Sequence, residues 1–514
     1  MQLAVSPLLI CRLNVDIVWV PNGGTMNMST GPEQLKLADG VEISRVVTGL
    51  WQIADMEKDG EVIDPEEGAD HLQAYVDDGF STFDMADHYG SAEIITGHLL
   101  KRTQQSGRRP QAFTKWCPEP GPMTEAVVRA GVDERRRRLG VERLDMLQVH
   151  WWTFEHPAWL DMLHALADMR EQGIIGEIGV TNFDAAHLHV AHADGIPLLT
   201  NQVSFSLLDR RASGPMADVC AATGMRLFAY GTLCGGFLSS KWLDKPEPAT
   251  LSDWSSMKYK RFIDVIGGWE PYQGVLRAAA KIADKHGVSI ANIATRWVLE
   301  QPAVAGIIIG ARLGESEHRA DNLRLFSFAL DAEDNALLDN AFAATSPVPG
   351  DCGDEYRKPP YLTAAGDLSD HLTSLEAAYK AEDVPGKPGQ RRVLSGSKWE
   401  DIAGYCRARR IGDRILVSGT TATEGADRLV APGDAAAQTT YVLDKIAGAL
   451  GALGASMEDV VRTRVYIADV DDVEAIARAH GRVFESIKPV NTLFGAGSLI
   501  GDYKVEIDAE ALVG

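Results

Sequence analysis

Eight short apolar runs, each followed by a segment with helical periodicity, constrain the fold of this chain more than any other feature. The runs are Val46–Leu50, Ser81–Ala86, Ala112–Trp116, Leu144–His150, Ile174–Val180, Leu198–Val203, Leu227–Gly231 and Gly306–Gly310. Because parallel strands need crossover connections, this alternation predicts a parallel (β/α)8 barrel. An open doubly wound sheet is the alternative, but no G-x-G-x-x-G motif follows the first run.

Changes in residue composition and in hydrophobic pattern along the 514 residues predict further segments. A stretch punctuated by Pro, Gly, Asp and Lys follows the barrel and indicates an extension and a linker. Beyond it, strand-like runs and two long helical patterns predict a smaller α+β domain. The predicted segments are a disordered tail (1–35), the barrel (36–346), the extension and linker (347–393) and the α+β domain (394–514).

Charge and cysteine usage exclude several classes of function. With 50 Lys and Arg against 72 Asp and Glu, the net charge is −22, which argues against a broad electrostatic contact with nucleic acid or an anionic membrane. Six cysteines without a C-x-x-C pair predict reduced thiols and a cytoplasmic protein. No basic residue precedes the mildly apolar Leu3–Ile10, which argues against a secretory signal. We favour a disordered tail, or an upstream start codon with Met26 or Met28 as the natural beginning.

Four titratable side chains fall at or just beyond the ends of the second, third and fourth runs. Asp84 and Tyr89 belong to the second run and its loop, Lys115 ends the third and His150 ends the fourth. The active site of an α/β barrel lies at the carboxyl ends of its strands, so we expect the four to converge. An ammonium lowers the pKa of a nearby phenol from about 10, and a carboxylate keeps that ammonium charged. The set predicts proton donation by Tyr89, with His150 polarising a carbonyl oxygen.

The motifs F-D-M-A-D-H-Y-G-S-A-E, F-T-K-W and D-M-L-Q-V-H-W around these residues resemble those of the aldo-keto reductases. The resemblance covers Lys36–Ala344. It implies a TIM barrel that reduces aldehydes or ketones with a nicotinamide cofactor, and it places the catalytic tetrad on Asp84, Tyr89, Lys115 and His150.

The same resemblance implies which residues hold the cofactor. Asn182 and Gln202 match the positions that bind the nicotinamide carboxamide, and Tyr230 matches the residue that stacks on its ring. The segment after Tyr230 is rich in glycine. Because glycine has no side chain, the backbone N–H groups of this segment can approach a pyrophosphate closely. The predicted cofactor-binding residues are Thr181, Asn182, Gln202, Tyr230, Gly231, Leu233, Gly235, Arg312, His318 and Asn322.

The loop after the eighth run, I-I-I-G-A-R-L-G-E-S-E-H-R-A-D-N-L, is similar to the adenosine-binding loop of the family. Arg312 matches a cation for the 2′-phosphate, and Asn322 matches an adenine contact. An arginine fork suits a phosphate dianion, so the resemblance implies NADPH. His318 stands where a second arginine is common, which leaves NADH as the alternative.

Four tryptophans just beyond the first, third and fourth runs predict an apolar, aromatic-walled pocket for a small-molecule carbonyl substrate. The tail segment G-D-C-G-D-E-Y-R-K-P-P-Y-L-T is a candidate cover for the mouth of the barrel. The predicted pocket residues are Trp51, Trp116, Trp151 and Trp152.

No metal site is predicted. His187, His189 and His192 fall on different faces of one helix, without a convergent set of carboxylates or thiolates. Cys117 and Cys234 lie near the predicted site and are either oxidation-sensitive or, more commonly for such residues, simply packed.

Residues Gly396–Gly514 resemble the RidA/YjgF family of reactive-intermediate deaminases, on G-Y-C-R-A-R-R-I-G-D-R-I-L-V-S-G-T, G-A-S-M-E-D-V-V-R-T-R-V-Y-I-A-D-V and Y-K-V-E-I-D-A-E-A. The resemblance implies a chorismate-mutase-like α+β fold and a homotrimer with ligand clefts between subunits. The matching cleft residues are Tyr405, Ser418, Gly419, Asn491 and Glu506.

Asn491 departs from the family pattern, because deaminating members carry an arginine there. Asparagine offers neither the positive charge nor the guanidinium fork that clamps a carboxylate. Glu506, the matching water-orienting acid, is retained. We therefore expect a cleft with altered ligand choice or a trimerisation module, and nothing here supplies a basic RNA groove.

The leading hypothesis is an NADPH-dependent carbonyl reductase fused to an oligomerising domain. Two alternatives stay open: an NADPH-binding redox sensor, and a bifunctional protein whose C-terminal domain hydrolyses a reactive imine or enamine.

Overall fold

The computed structural model describes residues 31–53, 63–104, 109–251, 253–314, 317–358 and 377–514. The predicted tail up to residue 30, with Cys11 and both candidate start methionines, lies outside these residues, as do Pro359 and Pro360. No helix in the described ranges is long and apolar enough to cross a membrane.

Eight parallel strands close into a barrel, as the sequence predicts. A hairpin of β1 (Gln34–Ala38) and β2 (Val41–Ser44) precedes them. Neighbouring barrel strands follow one another in chain order, and the last pairs with the first. The barrel strands are β3 (Val46–Gly49), β4 (Thr82–Ala86), β5 (Gln111–Trp116), β6 (Leu144–His150), β7 (Ile175–Thr181), β8 (Leu198–Ser204), β9 (Arg226–Tyr230) and β10 (Val304–Gly310).

Helices connect and follow these strands, and local sequence fixes their ends. The Thr124 hydroxyl accepts a hydrogen bond from the Val127 N–H at the start of α3, and Gly140 ends α3 with a φ of 64°. The helices are α1 (Pro65–Asp77), α2 (Ala92–Thr103), α3 (Glu125–Leu139), α4 (Trp159–Glu171), α5 (Ala185–Ala193), α6 (Pro215–Thr223), α7 (Trp254–Val265), α8 (Trp269–His286), α9 (Ile290–Leu299), α10 (Arg319–Arg324) and α11 (Ala332–Phe342).

The β1–β2 hairpin fills the amino-terminal end of the barrel, a feature that the sequence analysis did not predict. Val41 and Ile43 pack with inward-facing Phe113 and Phe228 in one apolar cluster. Because β2 ends immediately before β3, this cluster lies opposite the carboxyl ends of the strands. The carboxyl end is therefore the one left for a site.

The C-terminal domain is a seven-stranded sheet with helices, which confirms the α+β prediction. Helix α13 packs on the central strands β14 and β19. The sheet contains, in chain order, β11 (Ala381–Asp383), β12 (Gln390–Val393), β13 (Ala408–Ile411), β14 (Arg414–Thr421), β17 (Val460–Ile467), β18 (Val490–Gly495) and β19 (Val505–Leu512); β15 (Thr423–Glu424) and β16 (Arg428–Leu429) form a separate hairpin, and the helices are α12 (Lys398–Ala403), α13 (Ala435–Ala452) and α14 (Val473–Phe484).

The predicted linker 347–393 differs from the structure at its carboxyl end. Strands β11 and β12 lie within it and extend the C-terminal sheet. The residues of these strands are largely charged, so no alternation of apolar residues marks them as strands. Side-chain contacts connect the two strands, such as the hydrogen bond of 2.6 Å from Arg392 Nε to Glu382 Oε1. The other segment boundaries stay predictions.

Helix α5 of the barrel packs against α13 of the C-terminal domain. His187 lies in this interface, with Nδ1 2.7 Å from Asp184 Oδ2 and Nε2 2.9 Å from Asp444 Oδ2. Burial alone lowers the pKa of His187, but the carboxylates of Asp184 and Asp444 raise it above its usual value. A charged imidazole between two acids therefore joins the two domains.

We expect His187→Gln to weaken this interface by about 3 kcal/mol, because buried Asp184 and half-buried Asp444 both lose the imidazolium that lies between them. Since the folded-state pKa of His187 lies above its unfolded value, the stabilisation is complete below about pH 6.5 and is lost as the pH rises through the folded-state pKa. Thermal unfolding followed across this pH range measures the effect. The matched control is His98→Gln, which removes the histidine that pairs with exposed Glu66 on the surface of the barrel. An unchanged pH dependence in His187→Gln would contradict the assignment.

Candidate active site

A cavity of about 720 Å³ lies at the carboxyl ends of the barrel strands. Every member of the predicted tetrad and every predicted cofactor-binding residue contributes to its wall. The tetrad members Asp84, Lys115 and His150 come from β4, β5 and β6, and Tyr89 comes from the loop after β4.

Asp84 and Lys115 form a buried ion pair in this wall. Lys115 Nζ lies 2.6 Å from Asp84 Oδ2, and the two side chains are 4% and 5% exposed. The other carboxylate oxygen, Oδ1, accepts hydrogen bonds from Gln148 Nε2 at 3.0 Å and Gln202 Nε2 at 2.8 Å. Because both oxygens of Asp84 are engaged, the position of the Lys115 ammonium is fixed.

The Lys115 ammonium lies against Tyr89, with Nζ 4.8 Å from the centroid of the ring. The rings of Trp51 and His88 contact Tyr89 edge-on, at centroid distances of 5.0 and 4.8 Å. These contacts hold the half-buried phenol between an ammonium and an aromatic wall.

Asn182 connects His150 to Tyr230. Its Nδ2 lies 3.3 Å from His150 Nδ1, and its Oδ1 accepts a hydrogen bond of 2.7 Å from the Tyr230 hydroxyl. Its φ of 58° is uncommon outside glycine, and asparagine is among the residues that tolerate it. Beside it, the buried Thr181 Oγ1 has no hydrogen-bond partner in the described ranges. This wall therefore offers a polar group that a ligand amide can satisfy.

The predicted cover of the mouth lies in place as far as residue 358, the last one described before the gap. The ring centroid of Tyr356 lies 5.3 Å from that of His150, and its hydroxyl contacts Lys258 and Tyr230. Arg357 secures the segment by donating to the backbone carbonyl oxygens of Asn182, at 2.5 Å, and Trp151, at 2.6 Å.

Gly353 explains how the cover approaches Asn182 so closely. Its φ is 88°, and a Cβ built on it would overlap the carbonyl oxygen of Asn182. Tyr356 and Lys258 also border the cavity, although neither is among the predicted site residues. The sequence signal for Tyr356 is an aromatic residue beside an arginine in an acidic, glycine-containing tail.

The predicted pyrophosphate loop between β9 and α7 also borders the cavity. Gly231 and Gly235 both have positive φ, and a side chain on either would overlap or crowd α7, at Tyr259 and Ser255. Arg312 is exposed on the rim. Arg319 nearby pairs with Asp78 and Glu317, whereas Arg312 has no ion pair with any described residue. The groups on this side fit the phosphates of a dinucleotide.

Comparison with known proteins agrees with this geometry. Residues 45–343, more than half of the chain, match the aldo/keto reductase family. The chain belongs to this family. Residues 396–513 match the Endoribonuclease L-PSP family, to which RidA/YjgF proteins belong. The protein is therefore an oxidoreductase of a family that uses nicotinamide cofactors, with a RidA-type domain at its carboxyl end.

Three relatives each match part of this chain. Aldo-keto reductase YhdN of Bacillus subtilis is 27% identical over 350 residues, which are 64% of this chain and 98% of the relative. Protein tas of Escherichia coli is 32% identical over 205 residues, 36% of this chain and 58% of the relative. An uncharacterised protein of Streptomyces coelicolor is 42% identical over 120 residues, 23% of this chain and 88% of its own length.

Among solved structures, a glycerol dehydrogenase of Gluconobacter oxydans matches with a TM-score of 0.52 at 24% identity. The match covers 63% of this chain and 98% of that enzyme. At this identity the likeness shows the barrel fold alone.

Two of the four tryptophans predicted for the substrate pocket of the reductase barrel lie elsewhere. Trp51 and Trp152 border the cavity, but Trp116 and Trp151 do not. Successive residues of a strand point to opposite sides, so Lys115 faces the mouth and Trp116 packs outward on α3, where a Cβ on Gly131 would lie 2.5 Å from its ring. Trp151 is fully buried and donates from Nε1 to the His156 carbonyl oxygen at 3.2 Å.

Cys234 is packed in the core of the barrel, and two histidines of α5 form ion pairs with the C-terminal domain. Burial raises the pKa of the Cys234 thiol to about 12, so it stays protonated and packed. His187 and His189 pair with Asp444 and Asp434 of the C-terminal domain. Asp87, His88 and Cys117 place potential ligand atoms within 4.8 Å of one another, but the Asp87 carboxylate already accepts from the Cys117 backbone N–H at 3.0 Å and contacts His88 at 2.8 Å.

The predicted C-terminal cleft is only partly assembled within one chain. Tyr405, Ser418, Gly419 and Glu506 border a second cavity, of about 840 Å³, but Asn491 does not. Asn491 donates from Nδ2 to Thr463 Oγ1 at 2.9 Å instead. An asparagine used in this way offers a ligand neither charge nor a free donor fork.

Proposed function

We propose that the reductase barrel reduces an aldehyde or ketone with NADPH, and that Tyr89 donates the proton. The arrangement that supports this proposal most strongly is the buried Asp84–Lys115 pair against the ring of Tyr89. The bound nicotinamide supplies a hydride to the carbonyl carbon. The carbonyl oxygen then needs a proton, and a phenol beside a fixed ammonium releases one more readily than a phenol in water.

The remaining cavity residues orient and shield the reacting groups. We infer that His150 directs the carbonyl oxygen toward the Tyr89 hydroxyl. Trp51, Trp152 and Tyr356 form aromatic walls that hold the apolar part of a small substrate and exclude water.

Each part of the cofactor has complementary residues on the cavity wall in this proposal. We infer that Thr181, Asn182 and Gln202 face the nicotinamide amide and that the ring of Tyr230 stacks on the nicotinamide. The glycine loop that contains Gly231, Leu233 and Gly235 takes the pyrophosphate, and the adenosine end meets Arg312, His318 and Asn322. An exposed arginine without an ion pair in the described chain is well suited to a 2′-phosphate, which favours NADPH over NADH.

We expect Tyr89→Phe to lower kcat by about 10²- to 10⁴-fold, the usual contribution of a general acid, while preserving the ring contacts with Trp51 and Lys115. Turnover is measured by nicotinamide absorbance with a panel of aldehydes and ketones. Fluorescence titration with NADPH provides the control, since its Kd is expected to stay within about twofold, a small effect on the affinity scale. Activity close to that of the unmodified protein would reject Tyr89 as the proton donor.

We expect Arg312→Ala to raise the Kd of NADPH by about 10- to 100-fold, the value of a charge-assisted contact, and to leave the Kd of NADH nearly unchanged. Fluorescence titrations with the two cofactors side by side measure this difference. Arg324→Ala, at an exposed arginine of α10, is the matched control. An equal loss for both cofactors would contradict a role in 2′-phosphate recognition.

We further propose that the C-terminal domain assembles the chain into a trimer. Every residue of β18 is exposed, including the apolar Val490, Leu493 and Phe494 at the edge of the sheet. An exposed sheet edge is a template for pairing with another chain, and exposed apolar patches mark protein–protein contacts.

Light scattering after size exclusion is expected to give three times the mass of the chain, and Phe494→Asp is expected to reduce it to that of a monomer by placing a charge in the interface. The control is Val127→Asp, which places the same charge at an exposed valine on barrel helix α3. A monomeric unmodified protein would overturn the proposed assembly.

A further inference from the structure

The second cavity is built by both domains. The barrel contributes the segment around His156 and Asp161, before and within α4, and the C-terminal domain contributes Lys445 of α13 together with Arg407 and Glu424. The volume, about 840 Å³, is enough for a small organic molecule. The barrel therefore supplies one wall of the C-terminal cleft that Tyr405, Ser418, Gly419 and Glu506 border.

Lys445 is an amine held inside this cavity without a counter-ion among the described residues. Its side chain borders the cavity, and the residue is 7% exposed. Nζ donates to the carbonyl oxygens of Thr421, at 3.1 Å, and Thr423, at 2.5 Å. Among the residues that the structure describes, no carboxylate lies within ion-pair distance of it. A neutral amine has two N–H groups, so these two carbonyl groups satisfy both donors and leave the lone pair of the nitrogen available.

The surroundings of Lys445 favour the neutral amine. Burial and the guanidinium of Arg407 lower the pKa of Lys445 to about 7, while Glu400 acts in the opposite direction. An exposed lysine has a pKa near 10.4 and is almost entirely protonated at neutral pH. Lys445 therefore supplies a nucleophile under conditions in which surface lysines do not.

Two further buried side chains on the same cavity each carry one polar atom that has no hydrogen-bond partner in the part of the chain that the structure describes. Arg407 and Glu424 are 5% and 6% exposed. Arg407 Nε and Glu424 Oε1 make no hydrogen bond with the described residues. Buried polar atoms are nearly always hydrogen-bonded in folded proteins, so an unpaired donor and an unpaired acceptor on one cavity wall indicate a polar ligand. Burial also raises the pKa of Glu506, which borders the cavity and can act as a proton carrier.

We propose that the cavity between the domains binds a small aldehyde or ketone and that Lys445 forms a Schiff base with it. The lone pair of Nζ attacks the carbonyl carbon, and a C–N bond forms while the C=O bond opens to a carbinolamine. Loss of water then gives C=N; the oxygen leaves with the two hydrogens that the amine carried. No oxidant or reductant is consumed, and Glu506, which borders the same cavity, is assigned the proton transfer between nitrogen and oxygen. The inference does not depend on turnover in the barrel.

Reductive trapping tests the proposal on the full chain. The protein, without nicotinamide cofactor, is mixed at neutral pH with propanal or pyruvate and sodium cyanoborohydride, which reduces an imine to a stable secondary amine. Peptide mapping then locates the adduct. We expect Lys445 to be modified at least about tenfold faster than exposed Lys387, because pKa values of about 7 and about 10.4 make its neutral fraction at pH 7 larger by about 10³. Modification of Lys445 with neither probe, or no faster than that of Lys387, would overturn the proposal.

Substitution of each lysine in turn tests whether the fast adduct forms on the buried amine. Lys445→Met keeps an unbranched side chain without an amine and is expected to abolish the fast adduct, whereas Lys387→Met is expected to retain it. If Lys445→Met does not fold, the map of the unmodified protein decides the question alone. Tyr89→Phe is expected to trap at the original rate, so a failure of this inference is distinguishable from a failure of the proposed reductase chemistry.

Discussion

The ion pair between Asp84 and Lys115 is the interaction on which the barrel site depends. A buried ammonium is tolerated only when an acid neutralises it and further hydrogen bonds fix that acid, and here Gln148 and Gln202 do so from two other strands. The pair therefore links β4, β5, β6 and β8 at their carboxyl ends. Its geometry sets where the positive charge meets Tyr89, and with it the chemistry that the cavity can perform.

The two domains are more than neighbours on one chain. Arg482 of α14 approaches Asp184, at the start of α5, and Asp351, at the start of the cover segment, at 4.0 and 3.7 Å. The same segment carries Tyr356 over the mouth of the barrel and contacts Asn182 through Arg357. The C-terminal domain thus contacts both the start of α5, just after β7, and the segment that carries Tyr356 to the mouth of the barrel.

Elements that follow from a pattern within one segment of sequence can be predicted, whereas features that depend on a contact with a distant segment cannot. The barrel strands follow from local periodicity, and the meeting of Asp84, Lys115 and His150 at one cavity follows from their places at strand ends. The tryptophans illustrate the limit, because adjacent residues such as Lys115 and Trp116 have opposite orientations and composition does not reveal which one faces inward. Strands β11 and β12 are not predicted from their own residues, because these charged residues become strands only by pairing, β12 with β13 and β11 with β12.

By itself, the sequence determined the barrel, the α+β domain and the chemical types of the residues at the mouth, because hydrophobic periodicity and short motifs are local properties. Only the tertiary structure decided that Tyr356 reaches the mouth, that His187 is shared between the domains and that Lys445 lies in a cavity lined by both domains. These features depend on contacts between residues far apart in the chain. The physical reason is that burial and charge pairing, which set the reactivity of a side chain, exist only after the chain has packed.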